Sequence, residues 1–235
     1  MNRRILVIGS NSFCGSSFIA NALNLNYEVI GVSRSGEKNK LFLPYKWQTC
    51  KSLANRFSFF RLDINKDAKE LIEIADSFRP QYIINYAGQG MVEESWGSPL
   101  DWYETNLISQ IALIEQLRQK DYLERYIHFT TPEVYGNTGN DWITEEHPYN
   151  PSTPYAISKA GLDSMVRAWS SEMKETKLKI NLYDPGATRT QMREKAYPGE
   201  NPDTLKHPNK VGEEILKICE EGFNNNGERL KYPNF

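Results

Sequence analysis

The sequence predicts an α/β fold built as a doubly wound parallel sheet. Two observations predict it. Short apolar runs rich in β-branched residues alternate along the chain with stretches of helical periodicity. A glycine-containing turn joins the first of these strands directly to the first helix. Because neither an internal repeat nor a second core is visible, residues 1–235 are predicted to form one domain, with residues 191–208 as a substrate lid.

Each predicted strand is a short apolar run, and each predicted helix places apolar residues three or four positions apart. Arg79-Pro80 ends the second helix, because the residue before a proline avoids the helical region. Polar loops are predicted at residues 35–52 and 137–154. Strands are predicted at 4–8, 27–32, 57–62, 81–86, 125–130 and 179–183, with an edge strand at 228–232. Helices are predicted at 16–25, 66–78, 95–120 (interrupted near Pro99), 160–173 and 210–221.

Composition narrows the class of protein. The 235 residues are 39% hydrophobic and 25% charged, which is typical of a soluble globular protein. A net charge of −2 gives no reason to expect nucleic acid or an anionic membrane as a partner. No apolar run is long enough for a membrane span, and the apolar start is too short for a signal peptide. The few cysteines and histidines are scattered, so we expect a cytoplasmic, reduced protein without a metal site.

The turn from Gly9 to Gly15 is a candidate dinucleotide site. Strand, glycine-containing turn and helix are the context in which backbone N–H groups and a helix N-terminus face a pyrophosphate. Ser12 stands where a middle glycine is usual, so a purely structural strand–helix turn is an equally good interpretation. In the binding interpretation, the cofactor contacts come from Gly9, Asn11, Ser12, Phe13 and Gly15.

The ends of the second and third strands bear on the choice of cofactor. An acid after the second strand usually holds the ribose 2′-OH of NAD, whereas an arginine suits the 2′-phosphate of NADP. Ser33 and Arg34 stand there, which favours NADP(H) over NAD(H), although a solvated loop arginine gives the same pattern. Asp63-Ile64 ends the third strand and supplies a carboxylate that can accept from an adenine amine.

Tyr155 and Lys159 form the candidate catalytic pair. Residues four apart on a helix share a face, so the ammonium is expected beside the phenol. A neighbouring cation favours the phenolate, and we therefore predict that Lys159 lowers the Tyr155 pKa and prepares it for proton exchange with a hydroxyl or carbonyl. By itself the pair also fits an exposed helix face that carries a chance Tyr and Lys.

Further residues occur in a fixed order around this pair. They are Gly9 and Gly15, Asp63-Ile64, Asn85-Tyr86-Ala87-Gly88, Asn106, Thr131, Tyr155, Lys159 and Pro185-Gly186. In this order they resemble the short-chain dehydrogenase/reductase superfamily, whose members have a Rossmann fold and bind NAD(P). The resemblance implies that Tyr86, Ala87, Gly88, Tyr155 and Lys159 contact the cofactor. It also implies that Thr131, Tyr155 and Lys159 are catalytic, with Asn106 either supporting Lys159 or serving as an ordinary polar helix residue.

The first 159 residues resemble the extended branch, the nucleotide-sugar epimerases and dehydratases. The similarity lies in Gln89-Gly90 running to Trp96, in the Thr131–Gly136 turn, and in Thr144–Pro148 leading to Tyr155. It implies substrate contacts from Gln89, Thr131, Pro132 and Glu133. Pro132 replaces the Asp acid of one dehydratase subgroup. Glu133 is either the base that takes a sugar C5 proton or a structural carboxylate.

Residues 180–208 instead resemble classical reductases. That likeness implies that Pro185, Gly186, Thr188 and Thr190 line the nicotinamide and cofactor phosphate. The stretch after Lys159 is short for the usual sugar-nucleotide-binding domain. Three functions therefore stay open: an NAD(P)-dependent enzyme acting at C4 of a nucleotide sugar, an NADPH-dependent carbonyl reductase, and a non-catalytic dinucleotide-binding protein.

Two helices carry apolar faces that are either partly exposed on a monomer or packed on the sheet. Family members pair the corresponding helices across a two-fold axis, so a homodimer is one hypothesis. The other is that both faces pack on the sheet. The faces consist of Leu107, Ile108, Ile111 and Ile114 on one helix and Leu162, Met165, Val166 and Trp169 on the other.

Overall fold

A seven-stranded parallel sheet organises the molecule. The computed structural model describes residues 3–47, 55–139, 143–220 and 222–233. Across the sheet the strand order is β3-β2-β1-β4-β5-β6-β7. The strands are β1 (Arg4–Ile8), β2 (Glu28–Ser33), β3 (Phe57–Arg61), β4 (Tyr82–Asn85), β5 (Arg125–Phe129), β6 (Lys179–Asp184) and β7 (Arg229–Lys231). The predicted doubly wound α/β fold is confirmed.

The strand order reverses between β1 and β4. The chain moves outward from β1 through β2 to β3, then returns to place β4 on the other side of β1, with Ile8 beside Asn85. The connections after β1 and β4 therefore leave in opposite directions, and a crevice opens outside the carboxyl ends of these two strands. Residues that bind a cofactor or a substrate are therefore expected to lie close to this crevice.

Helices cover both faces of the sheet. One core lies under α2, α4 and α5 and includes Leu6 and Leu162, and the other lies under α1 and α7 and includes Phe18 and Ile215. The helices are α1 (Phe13–Asn24), α2 (Ala68–Phe78), α3 (Pro99–Tyr103), α4 (Ser109–Leu117), α5 (Pro154–Glu172), α6 (Gln191–Ala196) and α7 (Pro208–Ile218). A π-helical turn, Glu104–Ile108, joins α3 to α4, and 3-10 turns occupy Lys40–Phe42, Pro44–Lys46, Glu94–Trp96, Pro132–Tyr135 and Pro202–Thr204.

Side-chain caps move two helix starts earlier than the periodicity predicts. Ser12 Oγ accepts from the Gly15 N–H at 3.0 Å, so α1 begins at Phe13. Thr153 Oγ1 accepts from the Ala156 N–H at 3.1 Å, and proline fills the first helical position, so α5 begins at Pro154 and not at residue 160. Tyr155 and Lys159 therefore both lie on α5, as their spacing requires.

Two other predicted segments contain more structure than expected. The helix predicted at 95–120 is divided into a 3-10 turn, α3, the π-helical turn and α4. The polar loop predicted at 35–52 contains two 3-10 turns, and Leu43 between them is fully buried; its last residues, 48–52, lie outside the described ranges. Within the described ranges, no helix is both long enough and apolar enough to cross a bilayer.

Of the two interpretations of the apolar helix faces, packing on the sheet is correct at most positions. Ile114, Leu162, Val166 and Trp169 are buried in the core against the sheet, and Leu107, Ile111 and Met165 pack against the same cluster. Ile108 is the member of the set that is clearly exposed, at 53%. These faces stabilise the monomer, because their apolar surface is already removed from water. The homodimer stays a prediction without support from these faces.

Candidate active site

The turn between β1 and α1 passes closely under the crevice. Gly9 has φ +81°, and a Cβ on it would lie 2.7 Å from the Ala87 nitrogen at the exit of β4. A Cβ on Gly15 would lie 2.7 Å from the Gly9 carbonyl oxygen. Both predicted glycines are thus required by the backbone, and Ser12 fits between them because its hydroxyl caps the helix. The first turn of α1 has no acidic residue and can face an anion.

Asn11 ties this turn to the exit of β2. Its Nδ2 donates to the carbonyl oxygens of Ser35 at 2.9 Å and Gly36 at 2.8 Å, and its backbone N–H donates to Ser33 Oγ at 3.0 Å. Ser33 therefore positions the turn and does not face outward as a ribose partner. Arg34, the next residue, has an exposed side chain.

The carboxylate predicted to meet an adenine is partly used inside the protein. Asp63 Oδ1 accepts from the Asn65 N–H at 3.0 Å, and the Asp63 N–H donates to Asp67 Oδ2 at 2.8 Å. Asp63 is half-buried and the neighbouring Ile64 is buried. These bonds fix the loop after β3 and leave the second carboxylate oxygen of Asp63 for a ligand.

The exit of β4 lies directly above Lys159. A Cβ on Gly88 would come within 3.0 Å of Asn106 Oδ1 and 3.2 Å of Lys159 Nζ, so only glycine leaves this space open. The Asn85 side chain, which is fully buried, accepts from the Ala87 N–H at 2.9 Å and shapes the turn. The Tyr86 ring stacks on Phe129 with centroids 4.1 Å apart.

Asn106 connects the β4 exit to α5. It lies in the π-helical turn, a distortion often found at functional sites. Its Oδ1 accepts from the Gln89 N–H at 2.7 Å, and its Nδ2 donates to the Gln89 carbonyl at 3.0 Å and to Ser158 Oγ at 3.1 Å. Ser158 Oγ in turn donates to the Tyr155 carbonyl at 2.7 Å. The structure thus gives Asn106 a positioning contact to the helix of Tyr155, and the amide is fully used in these bonds.

Thr131 and Tyr155 meet at the exit of β5. Burial raises the pKa of Tyr155 to about 12, and the neighbouring Thr131 side chain, which can act as a hydrogen-bond partner of the phenol, opposes this effect. The nearby carboxylates of Glu133, Asp184 and Asp163 raise it further. The predicted lowering by Lys159 is wrong in this arrangement, because burial dominates.

Lys159 is buried and directed at the main chain. Its Nζ donates to the Phe129 carbonyl at 3.1 Å, and burial lowers its pKa to about 8, against the opposing effect of the Asp163 carboxylate. An amine with this lowered pKa is present in both its charged and its neutral form near physiological pH. It can therefore respond to a charged ligand bound above it.

The turn after β5 carries a carboxylate that is not tied down. Glu133 is half-buried in the Pro132–Tyr135 turn, where Thr131 Oγ1 accepts from the Glu133 N–H at 3.4 Å. Its carboxylate is close enough to Tyr155 to affect the phenol electrostatically. Pro132 is exposed and has no ionisable group. Glu133 is therefore the carboxyl group of this turn, since the Tyr135 hydroxyl donates to the Glu145 carbonyl.

The hydroxyls after β6 are engaged in local hydrogen bonds. Thr188 Oγ1 donates to the Gly186 carbonyl at 3.1 Å, and Thr190 Oγ1 accepts from the Arg193 N–H at 3.2 Å as the cap of α6. Gly186 has φ +60°, which the turn after Pro185 requires. The predicted phosphate contacts by Thr188 and Thr190 would add to these bonds.

The segment predicted as a lid folds over the β4 exit. Helix α6 places Met192 against Gly90, where a Cβ would lie 2.8 Å from Met192 Cε. The segment is held together by Arg193, which pairs with Glu200 at 2.6 Å, and by Arg189, which pairs with Asp203 at 3.1 Å. The segment thus contacts the part of the sheet edge from which Gln89 projects.

Sequence reasoning missed Arg229, although its guanidinium lies beneath Thr131. Arg229 Nη2 donates to the Thr131 carbonyl at 2.7 Å and to Asp184 Oδ2 at 3.0 Å, and Nη1 pairs with Asp163 Oδ2 at 2.8 Å. These partners are far away in sequence, so no local spacing could have found the cluster. The one signal is an arginine at the start of a short edge strand.

The crevice residues fit a dinucleotide. The two glycines of the first turn bring backbone and a helix N-terminus to its floor, and Gly88 leaves space above Lys159. Two buried polar atoms, the Tyr86 hydroxyl and Asn11 Oδ1, have no partner among the described residues and are available to a ligand.

Replacing Gly9 tests the close approach of this turn. We expect Gly9→Ala to lower the free energy of unfolding by roughly 2–5 kcal/mol, because the methyl group adds both a strained φ and a backbone clash. Urea denaturation measures the change. Gly36→Ala is the matched control, since its Cβ would meet nothing within 4 Å and no left-handed φ is involved. Equal stability of the two variants would contradict the account of the turn.

Known proteins resemble this arrangement in sequence and in fold. The dTDP-glucose 4,6-dehydratase of Neisseria meningitidis serogroup B is 32% identical over 180 residues, covering 71% of this chain and 49% of the relative. The chain thus spans about half the length of the curated relatives it matches.

Two solved structures share the fold. A short-chain dehydrogenase from Salmonella enterica serovar Typhi superposes with a TM-score of 0.79 at 22% identity, covering 98% of this chain and 96% of that one. DesIV, a dTDP-glucose 4,6-dehydratase from Streptomyces venezuelae solved with NAD bound, gives 0.77 at 23% identity and covers 97% and 74%. The family model described as GDP-mannose 4,6 dehydratase matches residues 6–199, most of the site included. The chain therefore belongs to the GDP-mannose 4,6-dehydratase family, within the extended branch of the short-chain dehydrogenases/reductases that its first 159 residues resemble.

Proposed function

We propose that this chain is an NAD(P)-dependent enzyme that oxidises C4 of a nucleotide-linked sugar and couples that step to dehydration, epimerisation or reduction. The observation that carries the proposal is the meeting of Thr131, Tyr155, Lys159 and Glu133 at the exits of β4 and β5. Two neighbouring hydroxyls, a buried amine and a nearby carboxylate are the groups that such a reaction needs.

Each of these residues has a defined task in this reaction. Tyr155 takes the proton from the C4 hydroxyl. In C4 epimerisation or reduction it gives the proton back to the C4 oxygen, whereas in dehydration C4 stays a ketone. Thr131 hydrogen-bonds the same oxygen, and Lys159 binds the ribose hydroxyls beside it. The bound nicotinamide supplies hydride acceptance and return. Asn106, through Gln89 and Ser158, keeps the β4 exit and α5 in register.

Glu133 determines the fate of the oxidised sugar. A C4 ketone acidifies the C5 proton, and Glu133 is the base positioned on the β5 turn to remove it. Elimination of the C6 hydroxyl also needs a proton donor, which Pro132 cannot be. Once protonated, Glu133 can give its proton to the C6 hydroxyl, which leaves as water; the hydride removed from C4 would then go to C6, and a solvent proton would go to C5. Removal of the C5 proton, the step that dehydration and C5 epimerisation have in common, therefore rests on one residue, and inversion at C5 needs a solvent proton on the opposite face.

Within the same proposal, NADP(H) is preferred to NAD(H). Support comes from the exposed Arg34 side chain at the end of β2 and from Ser33, which is uncharged and turned inward to Asn11. An arginine can pair with a 2′-phosphate, whereas no carboxylate stands there to hold a free ribose 2′-OH.

The second candidate is a small carbonyl reductase with residues 191–208 as its lid. It is favoured by the contact of Met192 with Gly90 and by the two ion pairs that hold this segment together. A lid this small suits a small ketone or aldehyde better than a nucleotide diphosphate.

One binding and turnover experiment separates the two candidates. NADPH and NADH are first titrated into the protein. The protein loaded with NADP⁺ or NAD⁺ is then mixed with dTDP-glucose, GDP-mannose, UDP-glucose or CDP-glucose. Mass spectrometry identifies the products. We expect tighter binding of NADPH than of NADH, and a 4-keto sugar nucleotide as product. Dinucleotide binding without any sugar-nucleotide binding would favour the carbonyl reductase. No dinucleotide binding would refute both.

A further inference from the structure

A buried cluster of charges lies on the sheet side of the active site. It consists of Arg229 on β7 and two carboxylates, Asp163 on α5 and Asp184 at the end of β6; all three side chains are at most 3% exposed. Edge strands usually direct their charges to solvent, but this arginine points inward. A buried ion pair contributes little net stability, because desolvation offsets the attraction. The cluster is therefore better explained as a means of fixing the positions of the segments it joins than as a source of folding stability.

One guanidinium contacts three segments of the active site. Its Nη2 donates to the Thr131 carbonyl at 2.7 Å and to Asp184 Oδ2 at 3.0 Å, while Nη1 pairs with Asp163 Oδ2 at 2.8 Å. Thr130 Oγ1 also donates to Asp163 Oδ2, at 2.6 Å. The backbone of the β5 exit is thus fixed from below at the residue whose side chain lies beside Tyr155.

The two carboxylates extend the contact to the other segments. Asp163 lies four residues after Lys159 and shares its face of α5, so the pair with Arg229 fixes the rotation of the helix that carries both Tyr155 and Lys159. Asp184 accepts from the Gly186 N–H at 2.9 Å through its other oxygen and so shapes the loop after β6. A planar group with donors in a rigid fork can hold these partners at fixed relative positions, which a lysine cannot.

We propose that Arg229 is a positioning residue for the Thr131, Tyr155 and Lys159 set, holding the β5 exit, α5 and the β6 exit in the reactive arrangement. This inference rests on the proposed function for its kinetic test. Arg229 touches neither cofactor nor substrate in this account, and its effect passes through the Thr131 carbonyl and Asp163.

The test compares Arg229→Met and Arg229→Lys with wild type in the full chain. Lys231→Met is the matched control, since Lys231 lies two residues along the same strand, is exposed, and pairs only loosely with Glu145, at 4.0 Å. We measure thermal unfolding and NADPH affinity for each variant. We also measure kcat and KM for whichever of the four sugar nucleotides the wild type converts. For Arg229→Met we expect KM and NADPH affinity within about threefold of wild type but kcat lower by roughly 10- to 100-fold, as for a small displacement of catalytic groups. Arg229→Lys should unfold like wild type and recover part of kcat.

Two outcomes would overturn the proposal. One is wild-type kcat in both folded arginine variants. The other is a loss of kcat that is wholly explained by the loss of folded protein. If Arg229→Met does not fold, Arg229→Lys decides alone, because it keeps a cation between the carboxylates: a lower kcat at wild-type stability supports the proposal, and an unchanged kcat refutes it.

A spectroscopic readout separates this inference from the proposed function. If the wild type converts no sugar nucleotide, the proposed function fails. The NMR signal of the Tyr155 ring in ¹³C-tyrosine-labelled protein then tests whether Arg229 positions Tyr155. Tyr155→Phe identifies that signal. We expect it to shift in both arginine variants and to stay in place in Lys231→Met. An unchanged Tyr155 signal in the arginine variants would refute the positioning role.

Discussion

Replacing Tyr155 by phenylalanine is expected to lower turnover by roughly 10²- to 10⁴-fold while NADPH affinity changes little, since general acid–base catalysis contributes about this much. Burial raises the pKa of the phenol to about 12, so Tyr155 is protonated at neutral pH and serves as the acid in reduction. Oxidation needs the phenolate instead. Turnover in the oxidative direction should therefore increase as the pH rises through the neutral range.

The measurement is kcat for a sugar nucleotide in both directions, together with a titration of NADPH binding. Tyr122→Phe is the matched control, because this buried tyrosine donates its hydroxyl to the exposed Asp76 of α2 at 3.0 Å, away from the crevice. We expect this control to turn over like wild type. Full activity of folded Tyr155→Phe would contradict the proposed chemistry and favour a non-catalytic dinucleotide-binding protein.

The architecture could be predicted from the sequence because it depends on periodicity. β1 has the predicted bounds, and the other predicted strands are present within one or two residues at each end. Errors arose where one side chain changes the local hydrogen bonding. The hydroxyls of Ser12 and Thr153 start α1 and α5 early, and the π-helical turn at Asn106 divides a segment that reads as one helix.

The sequence predicts only those parts of the candidate site whose motifs lie at the ends of strands. Parallel strands bring their carboxyl ends to one edge, so Gly88 and Thr131 are expected there, and the structure places Gly88 beside Lys159 and Thr131 beside Tyr155. The pKa of Tyr155 was misjudged, because spacing gives the neighbour at Lys159 but not the depth of burial. Arg229 was missed, because its partners depend on how β7 is placed in the sheet.

Glu133 gives the second large expected effect, because it separates C4 oxidation from the subsequent chemistry at C5. In Glu133→Gln, hydride transfer at C4 should stay within about threefold of wild type, while removal of the C5 proton should slow by roughly 10²- to 10⁴-fold, as expected for loss of a general base. Gln keeps the shape of the side chain but cannot accept the proton. Incorporation of solvent deuterium at C5, detected by mass spectrometry, measures this step directly.

The control for this experiment is Glu145→Gln, which neutralises a carboxylate in the next loop along the chain, whose nearest cation is Lys231, at 4.0 Å. We expect wild-type deuterium incorporation in the control. The Glu133 carboxylate also raises the Tyr155 pKa, so its neutralisation should ease formation of the phenolate and leave C4 oxidation equal or slightly faster. A 4-keto intermediate should therefore accumulate on Glu133→Gln. If C4 oxidation and C5 exchange fell together, Glu133 would be a structural carboxylate of the β5 turn, and the base for the second step would have to lie elsewhere.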